Sequence, residues 1–573
     1  MQQLNWINHI RKNAFAFFVI TVLSACGGGG GAGGGGNNRN DLVNDTTPPV
    51  ITLSGASVYE QSQNRPYIES GALATDEVDG DLEVSITGTV DTATEGVYTL
   101  TYSATDQAGN TASVDRTVNV VFQPFITTWK TNNAGTSNIN QIKIGTQPGL
   151  AYDYTVDWGD GQITENHSGD FTHTYATPGI YTVRISGAFP GIYFDLSGYD
   201  SEKLLSIEQW GSQQWQSMHQ AFVGCINMVG NAVDTPLLAQ VTDMSSMFRG
   251  ASSFNQDINN WNVLSITNMS RMFEGASIFN QPLTSWNVAS VTDMSRMFLG
   301  AVSFDQPIGN WTVTNVVNMG QMFTNASVFN QALAGWDVSS VTNMSSMFSG
   351  ASLFNQPIGN WTVTNVVNMN GMFNNAVVFN QPIGDWVVAK VTSMRFMFSN
   401  ATSFNQPIGG WTVSAVRDMD NMFDAARNFD RPIGGWDVSA VTSMEYMFRD
   451  TDNFNRSLAN WDVSSVRTMR GMFQRAVNFD QDISSWNVSS VSDMFAMFFG
   501  ATLSPWNYDA LLIGWAALYN PGDPNAPGLQ ANVSFHGGNS QFSFGGAGHL
   551  ARDKLRATPL NWSINDGGPN GGV

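Results

Sequence analysis

The chain has 573 residues, of which only 12% are charged, yet its formal net charge is -21. That length is too great for one hydrophobic core, so several domains are expected. An acidic, lysine-poor surface repels phosphate backbones and argues against nucleic acid as a partner, and two cysteines cannot make a disulfide framework.

The N-terminus reads as a leader. Arg11 and Lys12 precede an apolar run from Ala14 to Leu23, followed by Leu23-Ser24-Ala25-Cys26. The run is too short to span a bilayer as a mature anchor, and residues 1–25 are assigned as a signal peptide. Its end resembles a bacterial lipobox, which implies cleavage before Cys26 and lipidation of its thiol and new amino group. By the same resemblance, Gly27 after the cysteine favours the outer membrane. Several acyl chains on one residue give stable anchoring where one does not. Residues 26–47 form a linker, nearly all glycine from Gly27 to Gly36, that holds the folded parts off the bilayer.

Residues 48–121 alternate short β-rich runs with turn signals, as a small β-sandwich does. The pattern closes on Ala104-Thr105-Asp106-Gln107-Ala108-Gly109-Asn110 and resembles bacterial immunoglobulin-like domains of surface proteins. Within it, Asp76, Asp79 and Asp81 crowd one turn and are candidate calcium ligands. The alternative is a solvated acidic turn before a strand. Residues 122–200 carry Tyr154-Thr155-Val156-Asp157-Trp158-Gly159-Asp160-Gly161, then Thr172-His173-Thr174-Tyr175 and Pro178-Gly179-Ile180-Tyr181. These read as hairpins with Asp-Gly and Pro-Gly turns. They resemble the PKD family, which implies a second sandwich acting as a spacer or interaction module. His173 reads as a packed structural residue.

Ten tryptophans then recur every 25 residues, from Trp261 to Trp486. A fixed period of that size marks a stack of units that bury their apolar faces only against each other. Within the unit at Trp261, the residues Met269, Met272, Phe273 and Ala276 fall at i, i+3, i+4 and i+7, the face of a helix. The residue before the first Met is a helix-capping type in every unit: Asp243, Asn268, Asp293, Asn318, Asn343, Asn368, Ser393, Asp418, Ser443, Thr468 and Asp493. Gly or Asn often stands where a left-handed C-cap is needed, as at Gly250, Gly275, Gly300, Asn325, Asn375 and Asn400. The spacing therefore predicts a helix of under two turns per unit, and a short strand at Trp261–Val263 whose repeats would build a parallel sheet about 50 Å long.

Trp336-Asp337-Val338-Ser339-Ser340-Val341-Thr342-Asn343-Met344-Ser345-Ser346-Met347-Phe348 resembles the repeats of BspA-like leucine-rich-repeat surface proteins. The match covers about Lys203 to Gly568, with Met, Phe, Trp and Val where Leu normally stands. The resulting expectation is a multidomain chain, two N-terminal β-sandwiches followed by an α/β leucine-rich-repeat-like solenoid. Residues 201–240 would be an irregular first repeat, 241–500 the solenoid and 501–573 a C-terminal cap. Cys225 falls at the place of Ala251, which suits a buried apolar role.

No nucleophile–base constellation recurs with a recognisable motif, so no catalytic residue is assigned. The Met stripe sits among apolar neighbours, as core does. The Asn or Asp after the second Phe of each unit (Asn255, Asn280, Asp305, Asn330) reads as a ladder bonding to backbone. Positions between the two methionines vary, and Arg271, Arg296, Arg395, Phe396, Tyr446 and Arg470 are interface-type residues there. The composite expectation is a lipid-anchored binding or adhesion protein of the outer-membrane surface. Its partner is an extracellular protein or polysaccharide, and calcium is the one cofactor considered. A glycan-binding accessory or polysaccharide-processing protein is the alternative.

Overall fold

The structure is a computed structural model and describes residues 45–195, 198–522 and 528–570. The expected signal peptide, Cys26 and the glycine run lie outside the described residues. The chain divides into two compact units, the first of which comprises, in its described part, residues 45–54, 71–86 and 102–114.

Seven strands come first: β1 (Val50–Leu53), β2 (Val58–Ser62), β3 (Ala72–Asp76), β4 (Gly80–Leu82), β5 (Ser85–Thr87), β6 (Gly96–Thr105) and β7 (Thr111–Val121). β1, β3 and β4 form an antiparallel sheet that sets Ile51 opposite Ala74 and Ala74 opposite Leu82. A second sheet has the order β2-β7-β6-β5, with β2 parallel to β7. Strict alternation drives the burial: Leu100, Tyr102 and Ala104 face inward on β6, and Val118 and Val120 do so on β7.

A six-stranded sheet of order β11-β10-β13-β8-β14-β15 follows. Its members, in chain order with the paired strands β9 and β12, are β8 (Phe125–Lys130), β9 (Gln141–Ile144), β10 (Asp153–Asp157), β11 (Ile163–His167), β12 (Phe171–Thr174), β13 (Ile180–Ala188), β14 (Leu204–Gln209) and β15 (Val229–Gly230). The β10–β11 turn needs Gly159 at φ 74, because a Cβ there would meet the Thr182 carbonyl oxygen at 2.4 Å. His173 is packed, with its ring stacked on Trp158 at 4.5 Å and its Nε2 2.9 Å from Asp160. Because β14 pairs antiparallel with β8, the sheet runs on past residue 200 into the repeats. At that crossing Lys203 is fully buried, with Nζ 3.7 Å from Asp200 and donating to the carbonyls of Ser137, Asn138 and Gln141.

The repeats contradict the expected α/β solenoid. Among the described residues from 231 to 504 there is neither a helix nor a strand, only turns and one parallel bridge per coil, from Asp243↔Asn268 to Thr468↔Asp493. The backbone hand is the reason. Arg271 and Gly275 both take left-handed conformations, φ 59 and φ 72, and a helix cannot pass through either. Amides alternate instead between two tasks. Met272, Glu274 and Ala276 close i→i+3 turns onto Met269, Arg271 and Phe273, while Met269, Arg271, Phe273 and Gly275 donate to Asp293, Ser295, Met297 and Leu299 of the next coil at 2.7–3.0 Å. The capping residue is real but caps no helix: Asn268 Oδ1 accepts from Ser270 N at 3.0 Å and closes a turn. Nor is Trp261–Val263 a strand, since Trp261 N donates to Ile258 O and Ile266 N to Val263 O.

The side chains follow the expected core. Trp, Val, Met, Phe and Ala positions of each coil are buried, at 4% exposure or less for the tryptophans. Trp286 and Trp311 stack at 6.4 Å, Phe273 and Phe298 at 5.6 Å, and Phe279 and Phe304 at 6.0 Å, with rings within 8° of parallel. From Trp286 to Trp486 each indole N–H of the ladder is satisfied by the preceding coil, as when Trp311 Nε1 donates to Leu283 O at 3.0 Å. The amide ladder holds as well: Asn355 Oδ1 accepts from Asn380 N and Gln381 Nε2, both at 3.0 Å. One core continues from Phe125 to Trp562 and includes Cys225, whose thiol is pushed well up by burial.

The end of the stack is closed by α1 (Pro505–Ala517), β16 (Ser534–His536), β17 (Phe542–Ser543), α2 (Ala547–Arg556), β18 (Ser563–Asn565) and β19 (Pro569–Asn570). Met494 bridges to Phe535, and Phe498 N donates to His536 O at 2.9 Å. Ser504 caps α1 by accepting from Asn507 N, and its own N–H donates to Asp480, the last rung of the ladder.

Candidate binding surface

The turn between the two methionines is one part of each coil whose side chains point away from the core, and the one where arginines and aromatic residues gather. Arg271, Arg296, Phe396 and Tyr446 occupy the same left-handed position, at φ 59, 58, 56 and 54, and Arg395 and Arg470 precede it. Gly371 and Gly471 occupy it in two other coils. A non-glycine residue in this conformation costs roughly 1–2 kcal/mol. Holding a large side chain there is therefore a local expense that the neighbouring coils' hydrogen bonds sustain.

Only part of the candidate set comes together. Arg271 and Arg296 lie in adjacent coils, flanked at the shared position by Ser246 on one side and Gln321 on the other. Arg271 also leans on Glu274, 3.8 Å away. Toward the end of the stack the character changes. The Arg395 guanidinium lies 5.0 Å from the Phe396 ring, Arg449 4.8 Å from Tyr446, and Arg470 4.8 Å from Phe495, within cation–π range. Tyr446 lies close against the following coil, where a Cβ on Gly471 would meet its ring at 2.3 Å.

Carboxylates thread this face. Arg449 grips Asp424 with both Nε (2.7 Å) and Nη2 (2.5 Å), Arg475 grips Asp450 likewise, and Arg470 Nε reaches Asp493 at 3.1 Å. Exposed pairs of this kind stabilise little individually, but they fix the rings beside them. Arg449, Asp424, Asp450 and Arg475 were not among the sequence candidates. Their signal was an Asp followed 25 residues later by an Arg, the repeat period itself. Asp418 and Asp420 sit close together at the edge of this face, and burial with Asp420 beside it raises the Asp418 carboxyl above its ordinary range.

The three calcium candidates do not converge. Asp76 ends β3, and its Oδ1 accepts from Val78 N and Asp79 N. Asp79 Oδ2 accepts from Gln107 N at 2.7 Å, and Asp81 is exposed on β4. Asp76 instead lies with Asp45 and Asp106, their ligand-capable oxygens all within 4.8 Å of one another. No helix among the described residues is long and apolar enough to cross a membrane.

Residues 51–120 match a family described as bacterial surface protein, Ig-like domain. No curated protein matches the chain. Two solved structures are similar over a part: the lipoprotein BT2262 from Bacteroides thetaiotaomicron, 21% identical over 23% of this chain, and the M60 catalytic domain with the CBM51-1 and CBM51-2 domains from Clostridium perfringens ZmpB, 17% identical over 24%. The TM-score is 0.12 for each, and this chain spans 60% and 21% of their lengths, so neither bears on its fold or activity. The coils give three overlapping matches, residues 216–336, 321–433 and 403–510, to the family described as Mycoplasma protein of unknown function, DUF285. Together these take in more than half of the chain, which belongs to the DUF285 family.

Proposed function

We propose that the chain is a cell-surface binding protein, lipid-anchored at Cys26 in an outer membrane, whose coil stack presents the turn face to an extracellular protein or polysaccharide. The immunoglobulin-like segment and the PKD-like segment resembling Tyr154–Gly161 act as spacers between the tether and the stack. The coils work as a BspA-like array, in which units identical in the core differ on one surface. One observation carries the reading: toward the end of the stack that surface holds Arg–aromatic pairs at Phe396, Tyr446 and Phe495, the latter two held by inter-coil Asp–Arg contacts. Such residues dominate binding energy at interfaces.

The chain works by binding rather than catalysis in this reading. A polysaccharide ligand has one feature in its favour, the exposed Phe495 ring beside Arg470, an apolar surface against which a sugar ring can pack. The test is a glycan and extracellular-protein array probed with the full chain and with a Tyr446→Ala, Arg470→Ala, Phe495→Ala triple variant. Specific binding that falls at least tenfold in the variant supports the proposal. Binding unchanged in the variant removes this face from it. Anchoring is tested separately: Cys26→Ala should lose acyl labelling and leave the membrane fraction, and unchanged labelling and fractionation would end the lipoprotein reading.

A further inference from the structure

We infer that Asp45, Asp76 and Asp106 form a calcium site that clamps the start of the folded chain to the immunoglobulin-like segment. The three come from separate places in the first unit: Asp45 precedes β1, Asp76 ends β3 and Asp106 follows β6. Their carboxylate oxygens lie within 4.8 Å of one another. Oxygens that share one calcium ion at about 2.4 Å can be at most about 4.8 Å apart. The spacing is that of a common ligand shell.

Two further observations point to an ion rather than to a chance cluster. Asp45 Oδ2 and Asp76 Oδ2 are wholly buried and accept no hydrogen bond, an arrangement that costs a carboxylate heavily unless a cation compensates it. Asp106 beside them is only 5% exposed. The described residues of this unit contain no Lys, Arg or His, while carrying Glu77, Asp79, Asp81 and Glu83 in addition to the three. No basic side chain of the unit is present to take the place of a metal. Asp45 Oδ1 accepts from Thr47 N and Asp76 Oδ1 from Val78 N and Asp79 N, which leaves the Oδ2 atom of each for an ion. Asp106 accepts through both oxygens, from Asn110 N and Nδ2, and would offer the ion a second lone pair of one of them. An all-carboxylate set selects a hard cation over zinc or copper, and calcium tolerates an irregular shell better than magnesium does.

The experiment is calorimetric titration of the full chain with calcium chloride alone, with magnesium chloride at matched ionic strength as the second arm. Thermal unfolding is followed in parallel. The expected result is one calcium ion per chain and a calcium-selective rise in the first unfolding transition. Binding should weaken at least tenfold in Asp76→Asn and in Asp106→Asn and persist in Asp81→Asn, which alters the same acidic turn outside the cluster. Circular dichroism establishes that the variants fold. If one does not, the parent titration and Asp45→Asn, at the edge of the unit, decide the question. No calcium-selective binding by the parent overturns the site. So does binding that Asp76→Asn and Asp106→Asn leave intact, or that Asp81→Asn abolishes equally.

Discussion

Replacing Trp361 by Ala removes a ring from the middle of the stack. That indole is 3% exposed, stacks on Trp336 at 6.4 Å and Trp386 at 6.5 Å, and lies 6.3 Å from the Phe348 ring. Its Nε1 donates to Leu333 O at 3.1 Å. Truncating a buried Trp costs about 3–5 kcal/mol through lost transfer energy and the cavity left behind. A buried carbonyl left without its donor adds about 1–3 kcal/mol. Since relaxation around the cavity serves both terms, the expected total is about 4–6 kcal/mol. In a stack whose coils touch only their neighbours, that loss is local. Urea unfolding followed by hydrogen exchange should show lost protection in the coils from about Leu333 to Trp386, with the β8–β13 sheet still protected at the same urea concentration. Trp361→Phe keeps a stacked ring but loses the N–H and the bulk of the pyrrole ring, so a smaller cost of about 2–4 kcal/mol is expected. Parent-like protection around residue 361 in Trp361→Ala would refute the account of the tryptophans as core.

Three other outcomes follow from the geometry. Lys203→Met strands the buried Asp200 carboxylate and should cost about 3–5 kcal/mol in chemical denaturation, with part recovered when Asp200→Asn is added. Asn355→Ala leaves the Asn380 amide without its acceptor, while Gln381 Nε2 keeps only the residue 355 carbonyl, and should lower the unfolding midpoint, whereas Asn355→Asp should be nearly neutral because Asp305, Asp430 and Asp480 already serve as rungs. Asp418→Asn should raise the melting temperature at neutral pH. A carboxyl raised on folding disfavours the native state wherever it is ionised, and that penalty fades as pH falls through the raised value. The gain should therefore vanish below the ordinary value of 3.8, and a gain that persists there would refute the electrostatic cause.

The repeat period, the buried set and the amide ladder were all legible in the sequence because each depends on which side chain recurs. The local conformation was not, and Arg271 shows why. Met269, Met272, Phe273 and Ala276 lie on one side whether the segment is a helix or a run of i→i+3 turns, so periodicity does not separate the two. What separates them is the sign of φ at Arg271, Arg296, Phe396 and Tyr446, residue types that give no hint of a left-handed backbone. Gly275 and Asn325 did give that hint, and were read as ending a helix rather than as one of two reversals per coil. The calcium candidates failed on distance along the chain. Asp79 and Asp81 are neighbours of Asp76 in sequence, whereas Asp45 and Asp106 reach it only through the pairing of β1, β3 and β6 within their sheets. On the turn face, the Arg–Asp pairs could have been found by asking which charges recur in opposite sign one period apart.

The backbone bonding between coils has a direction. In the coil at Met269 four amides point toward the C-terminal neighbour, and two, Thr267 N and Asn268 N, point back to Thr242 O. The stack is thus polar like a row of aligned magnets: one end exposes acceptors and the other exposes donors. Its two closures are not interchangeable for that reason. At the acceptor end Gln220 O takes the Phe194 amide, and at the donor end Phe498 N is met by His536 O. Removing residues 501–573 would bare N–H groups, Phe498 N among them, that the C-terminal segment now satisfies. The C-terminal segment thereby acts as a terminator of the one-dimensional stack.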